Sequence, residues 1–451
     1  MRRVGVYVFT DMVKSRNTKR REGYFDGQNY IGLRYILTEI DRSQYEVCYV
    51  SKDTVNSVDF VLVSLSSYYD VQNLINELWG KVVTATVIVG GAGCNNVGLL
   101  RAVADYVIVG RGEGLVPRLL SGECVPGVYS KRDDPDISRP IKIFPLSKYI
   151  EIADDFLGQY CERSIGCPRK CYFCEYSWKH KWQARDDGYA SGLLNRETLL
   201  QDVDWTQYRN KDFVTAIDGA TERTRKIINK PITNRMITEK MLEIYDAPRD
   251  YVSLKLYCLL GYPFEAKFEP EEAVEAIISA RRDADSHRCN VLMVSPHFIP
   301  MPFTPMECEP VNWHNFREDI RGYDWEKFGR GNVNVYWNWS LASAPVGAAE
   351  ATILNRADEK HAGAIKSILC SSRYKNLSAL AKRMVCEKYF GDLLGRVDSV
   401  LPYIERNNAT EAAKALYEKR KEAACHGDGW ESAGQYDEAS DAGGSGRQGG
   451  G

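Results

Sequence analysis

Cys167-Pro-Arg-Lys-Cys171-Tyr-Phe-Cys174 sets three thiols at CxxxCxxC spacing, with an aromatic residue, Phe173, directly before the third. Three thiolates can hold three irons of a four-iron four-sulfur cluster, because such clusters are bound by cysteine sulfur. The fourth iron then lacks a protein ligand. An open position on a metal centre is a place for chemistry, whereas closed sites are structural. Zinc is the plainer alternative and wants a fourth ligand. Cys161 stands six residues before Cys167 and His180 six after Cys174, so either could close a tetrahedral site. A disulfide is disfavoured, because three clustered thiols cannot pair evenly and nothing suggests secretion. The ferredoxin runs carry four cysteines, so this spacing is not one of them.

Other residues could do chemistry beside such a centre. An apolar run from Phe213 ends in the turn Asp218-Gly219, and Glu222 opens a helix with acid at its N-terminal side. The plainer reading of both acids is turn and helix-end charge. Lys255 alternates with Val252, Leu254 and Leu256, so it points away from them, into a barrel cavity or into solvent. Lys255 and Tyr257 are the candidate catalytic residues. His297 between Pro296 and Phe298 reads first as a packed or turn histidine, and Tyr336-Trp337-Asn338-Trp339 as core. Arg16, Lys19, Arg20 and Arg21 form a basic run that is either a solvated loop or a contact for phosphate or nucleic acid.

The elements that must position these residues begin with alternating strand and helix over the first ~130 residues. Strands are expected at Arg3–Phe9, Tyr45–Val50, Phe60–Leu65, Ala85–Val89 and Tyr106–Val109. Helices are expected at Tyr30–Asp41, Val71–Trp79 and Leu99–Ala104. This is a flavodoxin-like or Rossmann-like parallel sheet, and its ligands belong at the carboxyl edge. There Ser64, Gly90 and Gly91 are candidate cofactor-binding residues. A tight strand-to-helix turn also explains the glycine pair, and the GxGxxG fingerprint is absent. Residues 126–150 hold four prolines among charges and read as a linker. Residues 360–420 read as helices that form a cap or partner surface, and the Gly-rich tail from about Ala424 as disordered.

The chain has 451 residues, enough for two or three domains. A net charge of −2 gives no global electrostatic case for nucleic acid or membrane. No apolar run approaches the ~20 residues needed to span a bilayer, and the basic start Met1-Arg2-Arg3 lacks the long apolar region of a signal peptide. Thirteen mostly scattered cysteines fit a reducing cytoplasm.

The triad resembles the signature of radical S-adenosylmethionine (SAM) enzymes. That resemblance implies a [4Fe-4S] cluster on Cys167, Cys171 and Cys174, with SAM chelating the free iron and Phe173 near its adenine. Reductive cleavage then gives methionine and a 5′-deoxyadenosyl radical, with a flavodoxin or ferredoxin as reductant. Asp218-Gly-Ala-Thr-Glu222 with Asn229-Lys-Pro-Ile-Thr233 resembles the stretch whose acid contacts SAM, which makes Asp218 and Glu222 cofactor-binding candidates. Leu254–Glu265, Val294–Pro305 and Ala349–Asp358 resemble later segments of the same core. Only about 38 residues separate Cys174 from Phe213, so the TIM-type barrel is partial or the acidic turn replaces an earlier one.

Val63–Ser66, Val87–Gly91 and Ala104–Glu113 resemble the cobalamin-binding domain that precedes many such cores. Its DxHxxG loop is missing, and the first histidine in the chain is His180. Either cobalamin binds without a histidine from this domain or the fold is kept without the cofactor. The expected layout is a cobalamin-type domain over 1–130, a linker over 131–157, a radical SAM core over 158–335, a helical region over 336–423 and a tail over 424–451. Cobalamin-dependent methyl transfer is one expected activity. Methylthiolation without cobalamin and a non-catalytic, metal-stabilised binding protein are the alternatives. RNA, peptide and small-molecule substrates all remain open.

Overall fold

The computed structural model describes residues 1–9, 31–145, 151–154, 158–162, 164–184, 212–246, 251–265, 288–313, 333–338, 344–406 and 408–426. The molecule is a mixed α/β protein built on two parallel sheets. The first half runs β1 (Arg2–Tyr7), α1 (Ile31–Glu39), β2 (Tyr45–Val50), β3 (Phe60–Ser64), α2 (Tyr68–Leu78), β4 (Thr86–Gly90), α3 (Val97–Leu100), β5 (Tyr106–Val107), β6 (Val109–Gly110), α4 (Val116–Leu120), β7 (Tyr129–Ser130) and β8 (Ile143–Phe144).

The first sheet has the order β2-β1-β3-β4-β5-β7. Its first five strands are parallel and follow the flavodoxin-like order. The sixth, β7, pairs antiparallel with β5 and lies beyond the five strands expected from the sequence. Alternation along each strand divides the side chains between two layers. Val61, Val63, Val87, Val89, Val107 and Val109 face one core. Leu62, Ile88 and Ile108 face the other, under α1 and α4. Helix α2 starts three residues before the expected Val71, because Asp70 reaches back to accept hydrogen bonds from the backbone N–H groups of Ser66 and Ser67, at 2.6 and 3.1 Å.

The second half runs β9 (Glu151–Asp154), β10 (Gly158–Cys161), β11 (Ser164–Ile165), α5 (Glu175–Lys179), β12 (Gln183–Ala184), β13 (Asp212–Ala216), α6 (Glu222–Ile227), α7 (Asn234–Asp246), β14 (Tyr251–Tyr257), β15 (Arg288–Val294), β16 (Val333–Asn338), α8 (Ala344–Arg356), α9 (Ala379–Leu394) and α10 (Asn408–His426). Strands β13 to β16 form a parallel sheet in sequence order. Among the described residues this sheet does not close into a barrel.

The C-terminal helices do more than cap. Ala349, Ile353 and Leu354 of α8 and Cys386, Phe390 and Leu394 of α9 share one core with Leu74 and Ile75 of α2. They therefore form a further layer on the first sheet, and each fully buried aliphatic side chain there contributes about 1.5–3 kcal/mol. The stretch expected as a linker is also pinned. Its β8 pairs with β6, and Ile141 exchanges backbone hydrogen bonds with Tyr403 and Glu405 at 2.9 and 2.8 Å. Helix α10 runs two residues past Ala424, and the rest of the Gly-rich tail lies outside the described residues.

Candidate functional site

The cysteine loop is held by two contacts from the residues that end α6. The Tyr172 N–H donates to the Ile228 carbonyl at 2.9 Å, and Asn229 Nδ2 donates to the Lys170 carbonyl at 3.2 Å. Lys170 takes a left-handed conformation (φ +50°), which turns the chain into Cys171. The Cys174 N–H then donates to the Cys171 carbonyl at 3.1 Å, and Trp178 Nε1 donates to that carbonyl at 2.9 Å. Cys171 is buried, while Cys167 and Cys174 are half-buried. Burial pushes the Cys171 thiol up to about 12, against the pull of the nearby Lys230 ammonium. Among the described residues, no three His, Cys, Asp or Glu side chains are already gathered as a metal site. The donor set itself suits iron–sulfur chemistry: three soft sulfurs within eight residues of chain, with the buried Lys230 ammonium near Cys171 to offset thiolate charge. Of the fourth-ligand candidates for zinc, the side chain of Cys161 lies outside the described residues.

Asp218 stands next to this loop. Its backbone is left-handed (φ +50°), and its carboxylate pairs with Lys230 Nζ at 2.7 Å. Burial disfavours the Lys230 cation, but Asp218 and then Cys171 outweigh it and hold the ammonium's affinity for its proton above the usual lysine range. The Tyr262 hydroxyl donates to the Asp218 carbonyl at 2.8 Å. The Tyr262 ring meets Phe173 edge-on at 6.2 Å and stacks on Phe264 at 5.4 Å. Tyr172, Tyr262, Phe298 and Tyr417 pack here as a further core, distinct from the two on the first sheet.

The other acid, Glu222, is engaged elsewhere. Its Oε2 accepts from the Asn234 N–H at 2.8 Å and its Oε1 lies 3.4 Å from Lys226, so it ties α6 to the start of α7. Lys255 faces away from the buried Leu254 and Leu256, with its Nζ 5.1 Å from the Tyr257 ring centroid. Tyr257 meets the acidic turn through its backbone: its carbonyl accepts from the N–H groups of Ile217 and Asp218. His297 is a packed histidine. Its Nε2 pairs with the Asn312 carbonyl at 3.0 Å, and burial lowers the imidazole to about 4 against that contact.

A second locus lies at the carboxyl edge of the first sheet. Ser64, Gly90 and Gly91 line a cavity of about 350 Å³, whose far wall is Tyr176, Lys179 and His180 from the cysteine segment. Lys179 Nζ donates to Asn95 Oδ1 and Asn95 Nδ2 donates to Glu175 Oε1, so α5 docks on the glycine loop after β4. Arg111 binds Glu162 in a two-pronged pair, both contacts 2.9 Å, and joins the sheet edge to the segment before the cysteines. Gly91 (φ +106°) is required by packing, since a Cβ there would stand 2.5 Å from the Leu65 carbonyl oxygen. A cavity of this volume suits an ordinary small molecule. Among the described residues it does not enclose a whole corrinoid with its nucleotide loop.

Lys230 and Tyr262 are the site residues that sequence reasoning missed, whereas His180 was named only as a possible fourth ligand beside the cysteines. The first sheet's own sequence holds no histidine, yet the fold brings His180 to that sheet's edge, with its Nδ1 buried and without a hydrogen-bond partner among the described residues. Burial, then Lys179 and Arg111, lower this imidazole to about 4. Lys230 and Tyr262 stood inside motifs already quoted, and Lys230, twelve residues after Asp218, was the available signal. The basic run Arg16–Arg21 lies outside the described residues, as do the side chains of Tyr336, Trp337 and Asn338.

No family model matches the chain, and no curated protein matches it. Solved structures of the cobalamin-dependent S-adenosylmethionine radical enzyme OxsB are similar at a low level. The form with aqua-cobalamin bound is 12% identical, with 93% of this chain and 55% of that chain covered and a TM-score of 0.22. The apo, SeMet-labelled form is 9% identical, with 94% and 61% covered and a TM-score of 0.22. The form with aqua-cobalamin and S-adenosylmethionine is 12% identical, with 94% and 56% covered and a TM-score of 0.22. The chain thus spans between half and two-thirds of the length of these enzymes, and a TM-score of 0.22 carries no argument about fold or activity.

Proposed function

We propose that this protein is a radical SAM enzyme, which takes a [4Fe-4S] cluster on Cys167, Cys171 and Cys174 and modifies an unreactive substrate position. The observation that carries the reading is the three-thiol loop with the Asp218–Lys230 pair set against its buried cysteine. A cluster held there would supply the electron that splits the SAM sulfonium into methionine and a 5′-deoxyadenosyl radical. The chain's own residues bind, orient and keep water out. Lys230 offsets the charge of Cys171 once that thiol gives up its proton. Asp218 is assigned the amino group of SAM, because it is the acid beside the loop, and Phe173 with Tyr262 the wall for the adenine. Tyr172, Phe298 and Tyr417 exclude water behind the loop. Lys255 and Tyr257, on the less buried face of β14, are assigned to the substrate. The strands β13 to β16 are read as part of a TIM-type barrel, and a flavodoxin or ferredoxin as the electron donor.

The test is anaerobic reconstitution with iron and sulfide, followed by dithionite and SAM. About four irons per chain and 5′-deoxyadenosine are expected. A Cys167→Ala, Cys171→Ala, Cys174→Ala variant that still released 5′-deoxyadenosine would sink the proposal.

A further inference from the structure

Cys308 and Lys414 form a thiol–amine pair that the proposed reaction does not use. They stand 106 residues apart in the chain, and Lys414 Nζ donates to Cys308 Sγ at 3.2 Å. The fold fixes both partners. Cys308 lies between Glu307 and Glu309, two buried acids held by cations from later elements: Arg406 binds Glu307, and Arg396 and Lys421 bind Glu309. Its carbonyl accepts from the Val397 N–H at 3.1 Å, and its thiol donates to the Asp398 carbonyl at 3.7 Å. On the other side, Lys414, Tyr417 and Lys421 recur at helical spacing along one face of α10, with Tyr417 fully buried and Lys421 on Glu309. Lys414 is therefore turned inward with that face. The Glu307 carboxylate lies farther from its Nζ than the sulfur does, at 4.0 Å. Sulfur is a weak acceptor, so this hydrogen bond offers little to offset the entropy of ordering a lysine side chain. Burial raises the Cys308 thiol, and the Lys414 contact works against that rise. Cys308 is 4% exposed, which admits dioxygen, small and apolar, more readily than a large or charged oxidant.

We propose that Cys308 and Lys414 are a redox modification site, at which dioxygen joins them through a covalent nitrogen–oxygen–sulfur bridge. The ammonium first passes a proton to solvent, since only the free amine carries the lone pair that bonds to oxygen. One N–H bond, the S–H bond and the O–O bond then break. An N–O and an S–O bond form, and the second oxygen leaves with the two hydrogens as water. Nitrogen and sulfur each give up two electrons, and dioxygen takes all four. At 3.2 Å the two atoms need only a small approach to hold one oxygen atom between them. Excess dithiothreitol reverses the step, returning amine and thiol and releasing the bridging oxygen as water. The bridge staples α10 to residues 306–309, and α10 is the helix whose Tyr417 meets Tyr172 of the cysteine loop. Exposure to air thus locks the element that backs this loop. The bridge does not rest on the radical SAM reading.

The full-length chain, purified anaerobically without added iron or sulfide, is exposed to ¹⁸O-labelled dioxygen and digested, and its peptides are read by tandem mass spectrometry. The expected product is a pair of peptides joined at Cys308 and Lys414, heavier than their sum by one ¹⁸O atom less two hydrogens. It is absent from the anaerobic sample and from the Cys308→Ser and Lys414→Arg variants, and dithiothreitol removes it. Amide exchange in α10 slows about tenfold after oxygen treatment and recovers on reduction. The triple cysteine-to-alanine variant forms the same bridge, so a loss of SAM cleavage with the bridge intact separates the two proposals. Recovery of Cys308 and Lys414 unlinked after oxygen treatment overturns the inference. So does a cross-link that has lost two hydrogens and gained no oxygen, which marks a direct sulfur–nitrogen bond. Cys308 carried to sulfinic or sulfonic acid with Lys414 free overturns it as well.

Discussion

Lys230 is where the chemistry of single residues is most exposed to test. Its ammonium is buried between Asp218 and Cys171, and its 2.7 Å contact is with the Asp218 carboxylate. Lys230→Met strands that half-buried carboxylate, and breaking a largely buried ion pair costs about 3 kcal/mol. The melting temperature falls, and Asp218→Asn added to Lys230→Met recovers most of the loss; a double variant no better than the single one contradicts the pairing. The cysteine spacing and the Asp218-Gly219 turn were legible in the sequence, while the role of Asp218 came only from the family resemblance. Lys230 was not singled out, because the fold alone brings it to Asp218 and Cys171. Glu222 shows the converse: its helix-start position was legible, and the fold uses it to join α6 to α7.

Among the elements, the turn after β14 is the most tightly determined. Gly261 sits at φ +80°, and a Cβ there would come within 2.0 Å of the His297 ring. Gly261→Ala therefore costs about 3 kcal/mol or more, from overpacking and a left-handed backbone together; denaturant unfolding that shows under 1 kcal/mol contradicts this packing. The same histidine makes stability depend on pH. Its folded value is lowered to about 4 from 6.5, so the unfolded chain binds the proton first as pH falls. Stability is then full above about 6.5 and is lost as pH falls towards 4. His297→Gln flattens that part of the stability–pH curve, and an unaltered slope contradicts the assignment. Periodicity made the first sheet legible, since Val61 and Val63 face one layer and Leu62 the other. Strand β7 was illegible because two residues, Tyr129 and Ser130, carry no period.

At the scale of the whole molecule, the C-terminal region closes the structure over both sheets. Helix α10 sets Tyr417 edge-on to Tyr172 at 5.9 Å and Arg420 over the same ring at 5.5 Å. Its Lys421 meets the buried Glu309 at 2.6 Å, as does Arg396 at 2.7 Å. No local pattern announces this network, because Glu307 and Glu309 find their cations about a hundred residues later. Removing residues 408–451 is expected to raise amide exchange across residues 170–178 while β3 and β4 stay protected. Lys421→Met gives a smaller change of the same kind, and unchanged exchange in both variants contradicts the role of α10 behind the cysteine loop. The central claim is that three cysteines leave one iron open for SAM. It is tested most directly by electron paramagnetic resonance of the reconstituted, dithionite-reduced protein with and without ¹⁷O-carboxylate SAM. A [4Fe-4S]⁺ signal that shifts with SAM and broadens with the label is expected. A signal indifferent to SAM, or a protein that holds one zinc and no acid-labile sulfide, would contradict it.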